Sequence, residues 1–533
     1  MPARRTLIAL AATLIATSSG ATVTVTIDAA ANRHPINPNI YGVAFASKSD
    51  LALLNAPLNR MGGNSMTAYN WKQNATNLAQ DWYFESYPQD GGGTPGASAD
   101  SFVSNTKSKG AQPMLTIPLA GWVAKLGDNR SILPAFSVNK YGAQCDTDYW
   151  DPDAGDGLKP DCSTPVTGND PKDAYIKDSV KLEHKWLQHL TQTWGKSKDG
   201  GVPYYLMDNE PSIWFSTHRD IHPVGPHADE YRDKVIAESA SIKKLDRNAK
   251  VVAPEEWGWE AYFYSGYDQQ YAAEHGYCCW PDHDGMQGGM DYIPWLLNQW
   301  KAAGHPVDVL SVHYYPQSGE DSDDTSQNMQ LLRNQSTREL WDPNYKSKSW
   351  INDKVYVIPR LKQWIADQYY AGTPVAITEY NWGAESHING ATTQADIYGI
   401  FGREGLDMAT RWAVPDQSTP TFKAMQMYRN YDGANSGFGD TSISASAPSP
   451  DNLSAFAALR SDKTMTVMVV AKDLSGTTPL TLQLSHFKKS GTAQVWRLTA
   501  SNTIQRVSDI AWSKGKLVDS VPSPSITLYV LPN

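Results

Sequence analysis

Val202-Pro-Tyr-Tyr-Leu-Met207, running into Asp208-Asn209-Glu210-Pro211, is the stretch on which the reading of this chain turns. A short apolar run stops at polar groups and a proline, the pattern of a buried strand that presents side chains at its end. The same arrangement returns at Pro374-Val-Ala-Ile377, which runs into Thr378-Glu379-Tyr380-Asn381-Trp382. Working outward, similar runs fall at 40–46, 58–62, 113–118, 202–207, 251–254, 307–312, 375–378 and 408–413, with amphipathic stretches such as 176–194, 230–245, 293–303 and 357–371 between them. Buried strands alternating with helices predict an α/β protein, a (β/α)8 TIM barrel over 37–424.

After residue 425 the texture changes to short alternating strands, at 454–459, 464–471, 480–484, 493–498 and 526–531, with 442–452 read as a loop. Segment 22–27 has the same alternation. An appended all-β, sandwich-like domain is therefore expected from both chain ends, 22–36 plus 425–533.

In such a barrel the chemistry lies where strands exit at their C-terminal ends. Glu210 follows the fourth strand and Glu379 the seventh. Two carboxylates so placed suit glycoside hydrolysis, in which one protonates the leaving oxygen and the other attacks the anomeric carbon. Asn209 is placed to meet a sugar hydroxyl, and Tyr315 or Tyr380 to hold the charge of Glu379. Arg60 and Asn64 leave the second strand, Glu255, Glu256 and Trp257 the fifth, His313 the sixth and Trp412 the eighth. Glu255 and Glu256 are the rival carboxylates, read as salt-bridging or hydroxyl-binding rim groups. Trp71, Trp82, Trp214, Trp257, Trp259, Trp382 and Trp412 are candidate platforms for sugar faces, with Trp382 and Trp412 foremost.

Composition agrees with a neutral polymer as substrate. The 533 residues carry a formal charge of -10 without a basic run, which excludes nucleic acid and anionic membrane as partners. The 19 tryptophans and 27 tyrosines supply many flat amphipathic surfaces. Arg4-Arg5, an apolar run over 7–16 and small residues at 19–21 read as a secretory signal peptide spanning 1–21, so a secreted, monomeric protein is expected.

Asp208-Asn209-Glu210-Pro211 with Trp214, Ser216-Thr217-His218 and Ile221-His222-Pro223 resembles glycoside hydrolase family 44. So do Arg60-Met-Gly-Gly-Asn64, Tyr69-Asn70-Trp71, Asp81-Trp82-Tyr83-Phe84-Glu85, Glu256-Trp257-Gly258-Trp259, His313-Tyr314-Tyr315-Pro316 and Thr378 to Gly383. The resemblance implies a barrel with a β-domain and endo-acting cleavage of β-1,4-glucans including xyloglucan. It also implies retention at the anomeric carbon, with Glu210 as acid/base and Glu379 as nucleophile. A xylanase or mannanase on the same scaffold, or an inert polysaccharide-binding protein, are the competing readings.

Five aspartates fall within Cys145–Asp156, a density of hard oxygen ligands that suits calcium. A structural calcium held by Glu85, Asp151, Asp153 and Asp156 is one expectation, strengthened by the resemblance, a solvated acidic loop is the other, and no organic cofactor is implied. Cys145 and Cys162 bracket this loop and are read as a pair, whereas the state of adjacent Cys278 and Cys279 stays open. His218, His222, His227, His275 and His283 with those cysteines offer a weaker zinc alternative.

Overall fold

The structure, a computed structural model, describes residues 22–533; the expected signal peptide lies outside the described residues. Eight parallel strands close a barrel: β1 (Gly42–Ala44), β2 (Leu58–Met61), β3 (Gln112–Ile117), β4 (Tyr204–Met207), β5 (Lys250–Glu256), β6 (Val309–Tyr314), β7 (Val375–Tyr380) and β8 (Met408–Arg411). A helix follows each: Lys48–Leu54, Ala97–Lys107, Val180–Trp194, Ala228–Leu245, Tyr292–Ala302, Val357–Gln368, Ile388–Glu404 and Pro420–Arg429. All eight strands expected from apolar runs are present. The first is shorter than its apolar run because Pro38–Tyr41 coils into a 3-10 turn led by a proline.

The barrel interior explains why the chemistry sits at one end. Leu58, Met114, Leu206, Val252, Val309, Ala376 and Met408, from β2 to β8, form one buried apolar plug. Two residues further along, the same inward face carries Arg60, Thr116, Asp208, Ser311, Thr378 and Thr410, all fully buried, because side chains alternate along a strand. Two register shifts modify this alternation. Pro254 pairs with Ser311 but Glu256 pairs with Val312, so Glu255 is the extra residue, in a left-handed conformation (φ 60°) that turns its carboxylate inward. Val312 pairs with Ile377 and His313 with Glu379, so Thr378 and Glu379 both reach the interior.

The β-region is a ten-stranded sheet in which Val23–Asp28 lies between Thr441–Ser446, antiparallel, and Thr477–Ser485, parallel. The sheet encloses its own core, where Val25, Ile27, Leu480 and Leu482 meet Val467, Val469, Val495 and Tyr529. Segment 442–452, expected to be a loop, contributes the strand Thr441–Ser446. Its serines and alanines carry little strand signal, and pairing on both sides makes the strand. Gln505–Trp512 and Lys516–Pro522, also strands, escaped notice because they are largely exposed and polar.

Helix Ile388–Glu404 is buried between barrel and sheet. A Cβ at Gly399 would lie 2.1 Å from the ring of Phe456, so only glycine permits this approach. Lys472 of the sheet and Asp396 of the helix form a buried 2.6 Å ion pair, and Thr337 donates to the same carboxylate oxygen.

Candidate active site

At the C-terminal end of the barrel, Glu210 and Glu379 approach from β4 and β7 with His313 between them. One carboxylate oxygen from each glutamate and a nitrogen of His313 all lie within 4.8 Å of one another. Glu210 occupies a left-handed position (φ 44°) just before the turn Pro211–Ile213, and its backbone N–H donates to the Glu255 carbonyl at 3.0 Å. A positive φ is unfavourable for a side-chain-bearing residue, and here the turn and strand β5 hold it.

Around the pair lies a network of charges. Arg60, fully buried, donates to Glu379 at 2.6 Å, to Asn209 at 3.0 Å and to Glu255 at 3.2 Å. His313 lies 2.8 Å from Glu210 through Nδ1, and its Nε2 is 3.4 Å from Glu255. Tyr315 donates to the second oxygen of Glu379 at 2.9 Å. Glu255 also accepts from Thr378 at 2.8 Å. Three carboxylates and two cations thus share one water-poor space.

The resulting protonation pattern follows from burial and neighbours. Burial, joined by the charge of Glu379, pushes Glu210 up, while the hydrogen bond and charge of His313 pull it partly back; the net direction is up. Burial alone would depress His313, but the charge of Glu379 and the contacts with Glu210 and Glu255 outweigh it and raise the imidazole to about 10. Both ring nitrogens of His313 face carboxylates, Nδ1 that of Glu210 and Nε2 that of Glu255, so the ring sits inside an ion-pair network. Burial works against ionised Glu255 too, yet His313 and Arg60 bring it below the ordinary range. Glu256 lacks such partners, and burial raises it to about 8.

Glu256 therefore has a different task from a catalytic one. It accepts from the Ser212 hydroxyl at 2.5 Å and so fixes the turn that carries Glu210. Asp208, raised to about 6 by burial, accepts from Thr67 at 2.5 Å and from the Leu119 backbone, which tethers the exit of β4 to its neighbours.

The aromatic expectations divide. Trp412 is half-buried at the rim, with the Arg60 guanidinium 5.7 Å from its ring and Gly63 so close that a Cβ there would lie 2.4 Å from the indole. Trp257 is half-buried and donates to Gln269 at 3.1 Å. Trp71, Trp214 and Trp382 are buried and present no face to a sugar: they donate to the Leu182 carbonyl, the Asn209 carbonyl and Ser336. Burying these large rings under the loops gains more than displaying them. Trp259 packs edge-on to Phe263 at 4.7 Å, with Arg360 at 5.0 Å over its ring. Asn64 bridges Asn209 and Asp81, at 3.2 and 3.1 Å. Trp350, half exposed and donating to Gln317 beside Tyr315, was not anticipated because it lies in a long loop with no strand before it.

The candidate metal ligands also regroup. Among the described residues both oxygens of fully buried Glu85 lack a well-aligned hydrogen bond, although Tyr87 lies beside them, and the charges of Asp148 and Asp151 reach it. Burial and those charges raise Glu85 to about 8. Asp153 instead accepts from Ser137 and the Asn139 backbone, and Asp156 from Leu158, because the tight turns of the loop need those caps. Asp148, which the sequence reading did not include, is the carboxylate whose charge acts most on Glu85. Cys145 pairs with Cys162 and Cys278 with Cys279, so neither pair is free to bind zinc. His222 lies against Glu230 and His227 against Asp282, and among the described residues the histidines of the zinc alternative form no ligand cluster.

Residues 75–318 match the model of glycoside hydrolase family 44. The chain is 31% identical over 507 residues to endoglucanase A of Paenibacillus lautus, covering 89% of this chain and 67% of that one. This protein belongs to glycoside hydrolase family 44. Its fold superposes on CelM2, a bifunctional glucanase-xylanase from a metagenome library, with TM-score 0.94 and 56% identity, covering 96% and 99% of the two chains. A family 44 xyloglucanase from Paenibacillus polymyxa gives TM-score 0.79 at 28% identity, with 96% and 99% covered. The protein is a glycoside hydrolase. Among the described residues of this family 44 chain, no helix is long and apolar enough to cross a membrane.

Proposed function

We propose that this protein is a secreted, endo-acting β-1,4-glucanase that retains anomeric configuration, active on xyloglucan, carboxymethyl cellulose and mixed-linkage glucans. The observation that carries the reading is the approach of a Glu210 and a Glu379 carboxylate oxygen to within 4.8 Å. Retaining glycosidases hold their carboxyl groups about 5–5.5 Å apart for direct attack, whereas inverting enzymes leave room for a water.

In the first step Glu379 attacks the anomeric carbon and Glu210 gives its proton to the departing oxygen, so the glycosidic bond breaks as a glycosyl ester forms. Arg60 and Tyr315 hold the attacking carboxylate in place. Esterification then removes the negative charge of Glu379, and with it one of the influences that raises Glu210. Glu210 is thereby prepared to accept a proton from the water that attacks the same carbon and releases Glu379. His313, positively charged beside both groups, stabilises each carboxylate in turn.

A second activity on xylan is supported by the 56% identity to a bifunctional glucanase-xylanase. Secretion rests on the signal-like segment 1–21, and a monomer is the working state. A structural calcium is proposed beside Glu85, with Asp148 and Asp151 as the other carboxylates. Its charge would compensate a buried carboxylate that neighbouring Asp148 and Asp151 push toward protonation.

The test is hydrolysis of xyloglucan and carboxymethyl cellulose by the mature protein beside Glu210→Gln and Glu379→Gln, with the anomer of the first product read by proton NMR. Loss of turnover in both variants and a β-anomer product are expected. Full activity in either variant, or an α-anomer product, refutes the assigned pair or its mechanism.

A further inference from the structure

Beyond the carboxylate pair, the rim displays aromatic rings that packing does not require. Trp82 is 37% exposed, Trp150 74% and Tyr149 86%. The two indoles lie 5.8 Å apart and only 31° from parallel, and the Tyr149 ring abuts Trp150 edge-on at 5.7 Å. Together they form one apolar surface facing solvent, of the kind that marks a binding site.

The Trp82 ring and the backbone that carries Trp150 are held in place. Buried Asp148 accepts from the Trp82 indole N–H at 3.3 Å and from the Trp150 backbone N–H at 3.1 Å. Tyr83 donates to Asp146 at 2.9 Å, and the Cys145–Cys162 disulfide closes the loop at its base. The Trp82 end of the surface is thereby pre-organised, which lowers the ordering cost of binding there.

Their position is continuous with the active site. Asn209, next to Glu210, donates to Asn64; Asn64 donates to Asp81; and Asp81 precedes Trp82 in the chain. A cavity of about 370 Å³ opens beside them between Trp82 and Arg219. The surrounding aspartates, Asp146, Asp151 and Asp156, disfavour an anionic polymer.

We propose that Tyr149 and Trp150 form a distal platform that continues the cleft beyond Trp82 and stacks on the sugar rings of a neutral β-linked polysaccharide, several units from the scissile bond. The proposal rests on the glucanase reading above. Flat apolar faces on both sides of an equatorially substituted pyranose match an indole surface. The platform therefore selects long chains over short ones.

The experiment measures binding by calorimetry in the Glu379→Gln protein, with xyloglucan and cellotetraose as probes, and compares it with the same protein carrying Trp150→Ala, Tyr149→Ala or Trp150→Phe. In Trp150→Ala the ratio of xyloglucan to cellotetraose affinity is expected to fall roughly tenfold, the effect of one good stacking contact. Trp150→Phe should recover most of it, and Tyr149→Ala should show a smaller drop of the same kind. A ratio within twofold of the parent in Trp150→Ala overturns the platform. If wild type cleaves xyloglucan and the ratio does not move, the platform alone fails. If wild type cleaves no β-glucan while the ratio still falls, the platform stands and the glucanase reading fails.

Discussion

The guanidinium of Arg60 and the carboxylate of Glu379, 319 positions apart in the chain, meet at 2.6 Å in the middle of the barrel. The same guanidinium reaches Asn209 and Glu255, so one planar cation fixes groups from β4, β5 and β7. A lysine carries the charge but cannot span three acceptors in one plane. Arg60→Lys is expected to lower kcat/KM at least a hundredfold, about 2.7 kcal/mol, with the loss mainly in kcat. Steady-state kinetics on xyloglucan checks it, and a loss confined to KM contradicts the positioning role.

His313 pulls the pKa of Glu210 down by hydrogen bond and charge, against the upward push of burial. In His313→Gln the cation is gone and Glu210 holds its proton to higher pH. The alkaline limb of the kcat/KM profile, where the acid is lost, should therefore move up in pH while peak activity falls. An alkaline limb that stays or moves down excludes this coupling.

Glu256 is raised to about 8 from an ordinary 4.5. A carboxyl held protonated by the fold adds no penalty below pH 4.5, and one that grows as pH rises from 4.5 to 8, because the unfolded chain sheds the proton first. Glu256→Gln removes the titration. The melting temperature of the variant relative to wild type should therefore climb between pH 5 and pH 8, and thermal scans across that range read the slope directly.

The Lys472–Asp396 pair is almost fully buried and ties the sheet to helix Ile388–Glu404. Removing one partner leaves an uncompensated buried charge, which costs about 3–5 kcal/mol. Lys472→Met should destabilise by that order in chemical denaturation, and adding Asp396→Asn should restore much of it. If the double variant is no better than the single, the pair is not a coupled unit.

Calcium binding at Glu85 predicts that a chelator lowers the melting temperature and that added calcium restores it. Glu85→Gln should abolish that response while keeping the fold. A melting temperature indifferent to chelator and calcium rules out the site.

Much of this was legible in the residues. Eight apolar runs, each ending in polar groups, gave the barrel and its active rim, because burial on both faces of a parallel strand forces continuous apolar sequence and the exits must carry what is not apolar. Glu210 and Glu379 stood out for the same reason. The tryptophans did not sort themselves: Trp382 and Trp412 follow strand exits alike, yet Trp382 lies under a loop with its N–H on Ser336 while Trp412 covers Gly63 and Arg60. Nor could the sequence tell Glu255 from Glu256.

Local pattern, then, determined the strands, the helices and the two carboxylates at their ends, since these depend on the periodicity of burial along a few residues. Tertiary structure alone decided which of two adjacent glutamates turns inward to Arg60 and His313, which aspartates gather beside Glu85, and which indoles keep a face in water. Each of those outcomes depends on a register shift or a loop path, and so on partners that lie tens or hundreds of residues away.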